Sequence, residues 1–293
     1  MPLAPPGLRW HEEADIGIVG GGGCGLVAAQ AAAGNDLTIV VCEKSKNAGG
    51  STALSRGMLP GAGTRLQREA GIFEVGEDFV HDVLQRNGGR SDPVLTRRLC
   101  ESSAALIEWL IDARGLQLEL VKQLCDAGHT RFRLHASPSG SGRALIDGLL
   151  RSLERRGIKL HLNTPVLQLW TDAGGAVIGL QIKTPKRTAT NIHCGKVILA
   201  TGGFGTNADL LQQHCPAAAG FSYAGAVTDT GDAVTWAPDI GAALRDPDAY
   251  DAYATVAVGS NLLVPWEVIT AGAILVNQQG QRFADDCAAL LSG

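Results

Sequence analysis

The sequence predicts an α/β fold: a parallel sheet built on a strand–helix–strand unit, an antiparallel meander beside it, and a second region of different character at the end. Three observations carry that reading. A glycine-rich turn joins a short apolar strand to an alanine-rich helix, and a second apolar strand follows closely. Amphipathic helices come next. Four short extended runs then precede a buried strand that ends in another glycine turn.

The elements follow in order. Asp15 to Val19 read as a short buried strand, and Cys24 to Ala33 as a helix closed by Gly34 and Asn35. Leu37 to Cys42, "LTIVVC", is β-branched and nearly all apolar, a second buried strand. Two such strands around one helix form a βαβ unit, which demands parallel pairing. "EDFVHDVLQRNG" and "DPVLTRRLCESSAALIEWLIDARG" repeat apolar residues at helical spacing, with Asp92 as N-cap and Pro93 as first helical residue. "GRALIDGLLRSLERRG", Gly142 to Gly157, is a further amphipathic helix. "IKLHLN", "PVLQLWTD", "AVIGLQIKT" and "TATNIHC" predict a small antiparallel meander, with "DAGGA" as a hairpin turn. "KVILATGGFG" returns to a buried strand. Pro238 should kink or break the helix in "DAVTWAPDIGAAL". From Asp246 the composition shifts and a strand-like "AGAILVNQQGQRF" follows, so a domain over 1–245 is expected to give way to a second over 246–293.

Composition narrows the function classes. The 293 residues are 45% apolar, enough for a sizeable core, and carry a net charge of −4 with no basic block, which argues against a nucleic-acid partner. No apolar run approaches the roughly 18 residues of a membrane span. The start, "MPLAPPGLRWHEEAD", does not read as a signal peptide. Seven scattered cysteines without C-x-x-C fit a reducing compartment, the cytoplasm, better than a disulfide or metal framework.

Chemistry concentrates at "IVGGGGCGLVAAQAAAG". Gly20, Gly22 and Gly25 match G-x-G-x-x-G between a strand and a helix. The first permits the tight turn, the second lets a pyrophosphate reach the backbone, and the third lets helix and strand pack closely. The helix N-terminus offers free N–H groups and partial positive charge to the phosphates. Glu43 ends the second strand, where a carboxylate accepts ribose hydroxyls and repels a 2′-phosphate. This much fits a nicotinamide or a flavin dinucleotide.

Further segments separate the two. "KSKNAGGSTALSRGM" after Glu43, "ILATGGFGTN", "TGDAVTWAPDIGAAL" and "GAILVNQQGQRFADD" occur in that order. With them the chain, from Asp15 to Asp286, resembles the flavoprotein family of fumarate reductases, succinate dehydrogenases and 3-ketosteroid dehydrogenases. The resemblance implies a Rossmann-like FAD-binding domain followed by the start of a substrate-capping α+β domain. It implies FAD at Gly20, Gly22, Cys24, Gly25, Glu43, Lys44, Gly50, Ser51, Thr52, Gly57, Val166, Ala200, Thr201, Gly202 and Asp232, with Asp232 equally readable as a helix N-cap. Ser51 stands where covalently flavinylated relatives carry histidine, so the flavin is expected to be non-covalent.

The family moves a hydride between flavin N5 and a carbon of an activated C=C bond. An unsaturated acid or ketone is therefore the expected small-molecule substrate, and the electron-transfer partner stays open. Tyr253 falls where fumarate reductases carry a substrate-binding histidine, which hints at a substrate other than a dicarboxylate; cap packing is the other reading. Glu267 lies one residue from a proton-delivering carboxylate, with a solvated surface role as its alternative. His135 and Arg282 are given no catalytic role. The family's proton-donating arginine and its C-terminal return to the flavin domain have no counterpart after "RFADD". The expectation is a C-terminally truncated family member: a fragment, an altered reading frame, or a short protein completed by a partner chain. A ketosteroid-type dehydrogenase and a non-catalytic FAD- or ADP-binding remnant are the alternatives in function.

Overall fold

The computed structural model describes residues 2–34, 36–125, 128–185, 187–251, 255–257, 262–264, 268 and 272–282. The first elements are β1 (Glu12–Val19), α1 (Gly23–Ala32), β2 (Ile39–Cys42), α2 (Gly50–Leu54), β3 (Leu59–Pro60), α3 (Arg65–Glu69) and α4 (Gly76–Arg86). Next come α5 (Pro93–Asp112), β4 (Glu119–Leu120), β5 (Leu134–Ala136), α6 (Gly142–Arg155), β6 (Lys159–His161), β7 (Val166–Thr171) and β8 (Val177–Thr184). The last are β9 (Arg187–Leu199), α7 (Ala208–His214), α8 (Asp232–Trp236), β10 (Thr255–Ala257) and β11 (Leu262–Val264).

The chain forms two compact units. One comprises Met1–Gly57, Arg114–Leu116 and Ser139–Asp248, the other Met58–Ala113, Gln117–Pro138 and Ala249–Gly293. The sequence reading places one boundary at residue 245; the structure crosses between units several times, the last time after Asp248.

The first unit is built on a six-stranded sheet in the order β6-β2-β1-β9-β8-β7. β6, β2, β1 and β9 run parallel, while β9, β8 and β7 are antiparallel. The expected meander is therefore corrected in two respects. "IKLHLN" supplies β6 of the parallel half. "TATNIHC" and "KVIL" form one strand, β9, whose first part pairs with β8 and whose second part pairs with β1, from Glu12↔Ile192 to Val19↔Leu199. Gly195 falls between those two runs. In the structure it marks close backbone approach, since a Cβ there would lie 3.0 Å from the Asp15 carbonyl oxygen. The "DAGGA" hairpin forms as expected, closed by Asp172 N–H donating to the Ala176 carbonyl at 2.9 Å.

Apolar pattern explains how the helices seat. Leu26 and Ala29 of α1 are fully buried, as is Ile146 of α6, and Gln30 Nε2 donates to the Leu149 carbonyl at 3.0 Å across the two helices. Val40, Leu180 and Ile192 form the centre of the sheet's core. Each such side chain contributes about 1.5–3 kcal/mol by leaving water. Pro238 acts as expected: α8 ends at Trp236 and a short 3₁₀ turn over Pro238–Ile240 replaces its continuation.

In the second unit α4 and α5 pack around Ala62, Phe79, Val80 and Cys100, beside the small sheet β3-β5-β4. α5 begins as expected, with Asp92 Oδ1 accepting from Val94 and Leu95 N–H. Arg133 is fully buried; its Nη2 reaches Glu74 Oε2 at 3.0 Å and Asp82 Oδ2 at 2.7 Å, with its guanidinium 4.6 Å over the Phe79 ring. "AGAILVNQQGQRF" is not a strand among its described residues. Val276 and Arg282 form an isolated bridge, because Asn277 Oδ1 accepts from Gln279 and Gln281 N–H and folds the segment into a turn.

Candidate functional site

The site begins where β1, β2 and β9 end side by side. Gly20 N–H donates to the Cys42 carbonyl and Ala200 N–H to the Val19 carbonyl, both at 2.8 Å. Gly20 takes φ +108°, and a Cβ on it would sit 2.2 Å from the Ala200 oxygen, so only glycine allows this turn. A Cβ on Gly25 would lie 2.0 Å from the Gly20 oxygen; its absence lets α1 pack on β1. Gly22 differs, since its Cβ position meets only the Gly49 oxygen, at 3.8 Å. The space in front of the α1 N-terminus is thus open, and Gly22 as N-cap supplies no side chain to the first-turn N–H groups.

Glu43 is 6% exposed. Its Oε2 accepts from Gly21 N–H at 2.7 Å and its Oε1 from Ser45 N–H at 2.8 Å, so the carboxylate is held rigidly and each oxygen keeps acceptor capacity. Lys44 Nζ donates to Thr230 Oγ1 at 2.6 Å and to Asp232 Oδ2 at 2.9 Å. Asp232 is not a helix N-cap: Gly231, left-handed at φ +81°, holds that position, and the Asp232 carboxylate is drawn instead to Lys44 and the Thr230 hydroxyl.

One cluster escaped the sequence reading. Asp229 is 5% exposed, and its Oδ2 accepts from Ser51 Oγ at 2.7 Å and from the Tyr223 hydroxyl at 2.5 Å. Ser51 Oγ in turn accepts from Ala226 N–H at 2.8 Å. Burial, followed by the bond to Asp229, pushes the Tyr223 phenol up to about 12, so it stays a donor. The available signal was the acid just before "TGD", but a Thr-Asp-Thr run reads as ordinary turn composition.

These groups enclose a cavity of about 310 Å³, at the lower end of small-molecule pockets. Gly20, Gly22, Cys24, Glu43, Lys44, Gly50, Ser51, Thr52, Val166, Ala200, Thr201, Gly202 and Asp232 all line it, as do Thr228, Asp229 and Ala233. Two expected residues do not. Gly25 lies behind the turn, against Gly20. Gly57, at φ +64°, packs on the start of α6, where its Cβ would be 2.9 Å from Gly142 Cα. Cys42 contributes an apolar wall: burial first, then Cys194, pushes its thiol up to about 12. The open cradle at Gly22, the helix N-terminus and the carboxylates to either side suit a molecule with phosphates between hydroxylated sugars. Tyr253 and Glu267 lie outside the described residues. His135 is buried, its Nε2 2.9 Å from Thr64 Oγ1 and its Nδ1 2.9 Å from the Arg133 carbonyl, which is a structural setting.

The FAD binding domain family matches residues 15–290 of the chain. The chain belongs to this FAD-binding family. Its cofactor is FAD, and the resemblance to fumarate reductases holds. The NADH:fumarate oxidoreductase of Klebsiella pneumoniae is 32% identical over 274 residues, 93% of this chain and 29% of that protein. The urocanate reductase of Eggerthella lenta is 31% identical over 291 residues, 98% of this chain and 48% of that protein. The open conformation of a flavocytochrome c3 fumarate reductase superposes with a TM-score of 0.87 at 29% identity, covering 94% of this chain and 49% of that one. The chain therefore spans half or less of the length of these relatives. A 3-ketosteroid-Δ4-(5α)-dehydrogenase from Rhodococcus jostii shares the fold, with a TM-score of 0.80 at 24% identity. Among the described residues no helix is long and apolar enough to cross a membrane, and no group of three His, Cys, Asp or Glu is placed to hold a metal.

Proposed function

We propose that this chain is the cofactor-holding part of an FAD-dependent oxidoreductase acting on CH–CH bonds, of the fumarate reductase type. The observation that carries the reading is the cavity at the ends of β1, β2 and β9, with an open glycine turn before a helix N-terminus and a clamped Glu43 beside it. Bound FAD supplies hydride transfer at its isoalloxazine. The chain's own residues bind and orient it: the first-turn N–H groups of α1 receive the pyrophosphate, Glu43 accepts the adenosine hydroxyls, and Ala200 to Gly202 let the cofactor pass close to the backbone. The Ser51 hydroxyl, spent on Asp229, supports non-covalent attachment.

Relatives named for fumarate and urocanate reduction support an unsaturated acid as substrate. Tyr253 and Glu267 are the proposed groups for substrate clamping and proton handling. Scattered cysteines without C-x-x-C support a cytoplasmic setting. The test is purification followed by addition of FAD. A yellow chromophore in the isolated protein, or an FAD-induced rise in Tm, supports the reading; their joint absence overturns it. Turnover of an unsaturated acid rather than a steroid ketone, with a chemical electron donor, distinguishes the reductase from the ketosteroid-type alternative. Flavin binding without turnover of either identifies a non-catalytic binder.

A further inference from the structure

We propose that Asp229 is a specificity-determining residue of the cofactor cavity, whose free carboxylate oxygen accepts a hydrogen bond from the ribityl chain of FAD. This rests on the FAD reading above and goes beyond it.

Asp229 is fixed on every side but one. Its N–H donates to the Ala226 carbonyl at 3.0 Å, and its own carbonyl accepts from Thr206 N–H at 3.1 Å and Thr206 Oγ1 at 2.8 Å. Its Oδ2 is taken by the hydroxyls of Ser51 and Tyr223. Oδ1 has no donor among the described residues. It points at Gly202, where a Cβ would lie 2.3 Å away, and both residues line the cavity. Gly202, at φ +74°, leaves that face clear.

No cation among the described residues pairs with Asp229, since Lys44 is committed to Asp232 and Thr230. Oδ1 keeps contact with solvent in the cavity, where an incoming hydroxyl can replace water as its donor. A phosphate cannot be that donor, because two anions would repel. A hydroxyl can. FAD carries two hydroxyl-bearing spans, one on each side of its pyrophosphate. Glu43 serves the adenosine side, and Asp229 is the remaining cavity carboxylate without a protein cation.

Titration of the whole chain with FAD, by flavin fluorescence, and with ADP, by calorimetry, tests this. ADP lacks the ribityl chain and reports the integrity of the fold. Asp229→Ala is expected to weaken FAD about tenfold or more, the weight of one hydrogen bond to a charged acceptor, and to leave ADP within about twofold. Unchanged FAD affinity in Asp229→Ala overturns the proposal, as does equal weakening of FAD and ADP, which is what a merely structural role produces. A wild-type chain that binds neither ligand overturns the FAD reading itself, a separate result.

Discussion

Gly25→Ala tests whether the third glycine of the turn works by packing rather than by touching a ligand. The added Cβ would lie 2.0 Å from the Gly20 carbonyl oxygen, while ordinary contact begins at 3.4 Å. Helix α1 or the turn must therefore yield by roughly 1.4 Å, and the opposing atom is backbone that cannot rotate away. Overpacking of this kind costs about 3 kcal/mol at the upper end of its usual range. Alanine returns about 1 kcal/mol through helix propensity, leaving a loss of about 2 kcal/mol. At about 2–4 °C per kcal/mol for a domain of this size, Tm should fall by about 4–8 °C, read by circular dichroism. Gly22→Ala is the comparison, because its Cβ meets nothing closer than 3.8 Å. Its Tm should stay within about 1–2 °C of wild type, a change below about 0.5 kcal/mol, while FAD affinity falls because the methyl occupies the phosphate's space. A Gly25→Ala protein with wild-type Tm, or a Gly22→Ala protein with wild-type FAD affinity, would refute the division of labour between the two glycines.

Three further outcomes follow from the geometry. Arg133→Met leaves Glu74 and Asp82 buried without their cation and should cost about 3–5 kcal/mol in urea unfolding. Burial acts to raise the Asp82 carboxyl, but the Thr130 N–H and hydroxyl and the Arg133 guanidinium outweigh it and hold the group below its ordinary range. Its stabilisation is thus present above about pH 4 and lost as pH falls through the lower folded value, so unfolding midpoints collected between about pH 5 and 2 should show an acid limb that Arg133→Met flattens. Tyr223 should titrate near 12 rather than with an ordinary tyrosine; ultraviolet absorbance should show this late phase, and Tyr223→Phe should remove it. With its folded value raised, the Tyr223 contribution is complete below about pH 10 and disappears as pH rises toward 12. Asp92→Ala deletes the acceptor for Val94 and Leu95 N–H and should lower stability by about 1 kcal/mol, read as a Tm fall of about 2–4 °C.

Much of the dinucleotide cradle was legible in sequence because it is local. A strand, three spaced glycines, a helix and a terminal acid occupy consecutive positions, and each has a conformational reason to be where it is. The structure brings Glu43 against Gly21 N–H at the end of the second strand. The Asp92–Pro93 helix start and the Pro238 break were legible for the same reason: capping and a missing N–H act within one turn of helix.

Pairing across the sheet was not legible in this way. Gly195 separates two runs in the sequence, and only the approach of the Asp15 backbone shows why β9 passes straight through it and serves both halves of the sheet. The Asn277 turn replaced an expected strand because a side chain captured two backbone N–H groups, an outcome that apolar patterning does not register. Asp229 was invisible for a related reason. In sequence it is one acid in a polar turn, 178 residues from Ser51. Only the fold buries it, gives Oδ2 its two hydroxyl donors, and leaves Oδ1 facing a glycine in the cavity wall. By itself, then, the sequence determined the βαβ cradle and the class of molecule it receives, since both depend on short-range backbone geometry. The tertiary structure decided which distant polar groups close around that cradle, since burial and hydrogen-bond satisfaction exist only once the chain is packed.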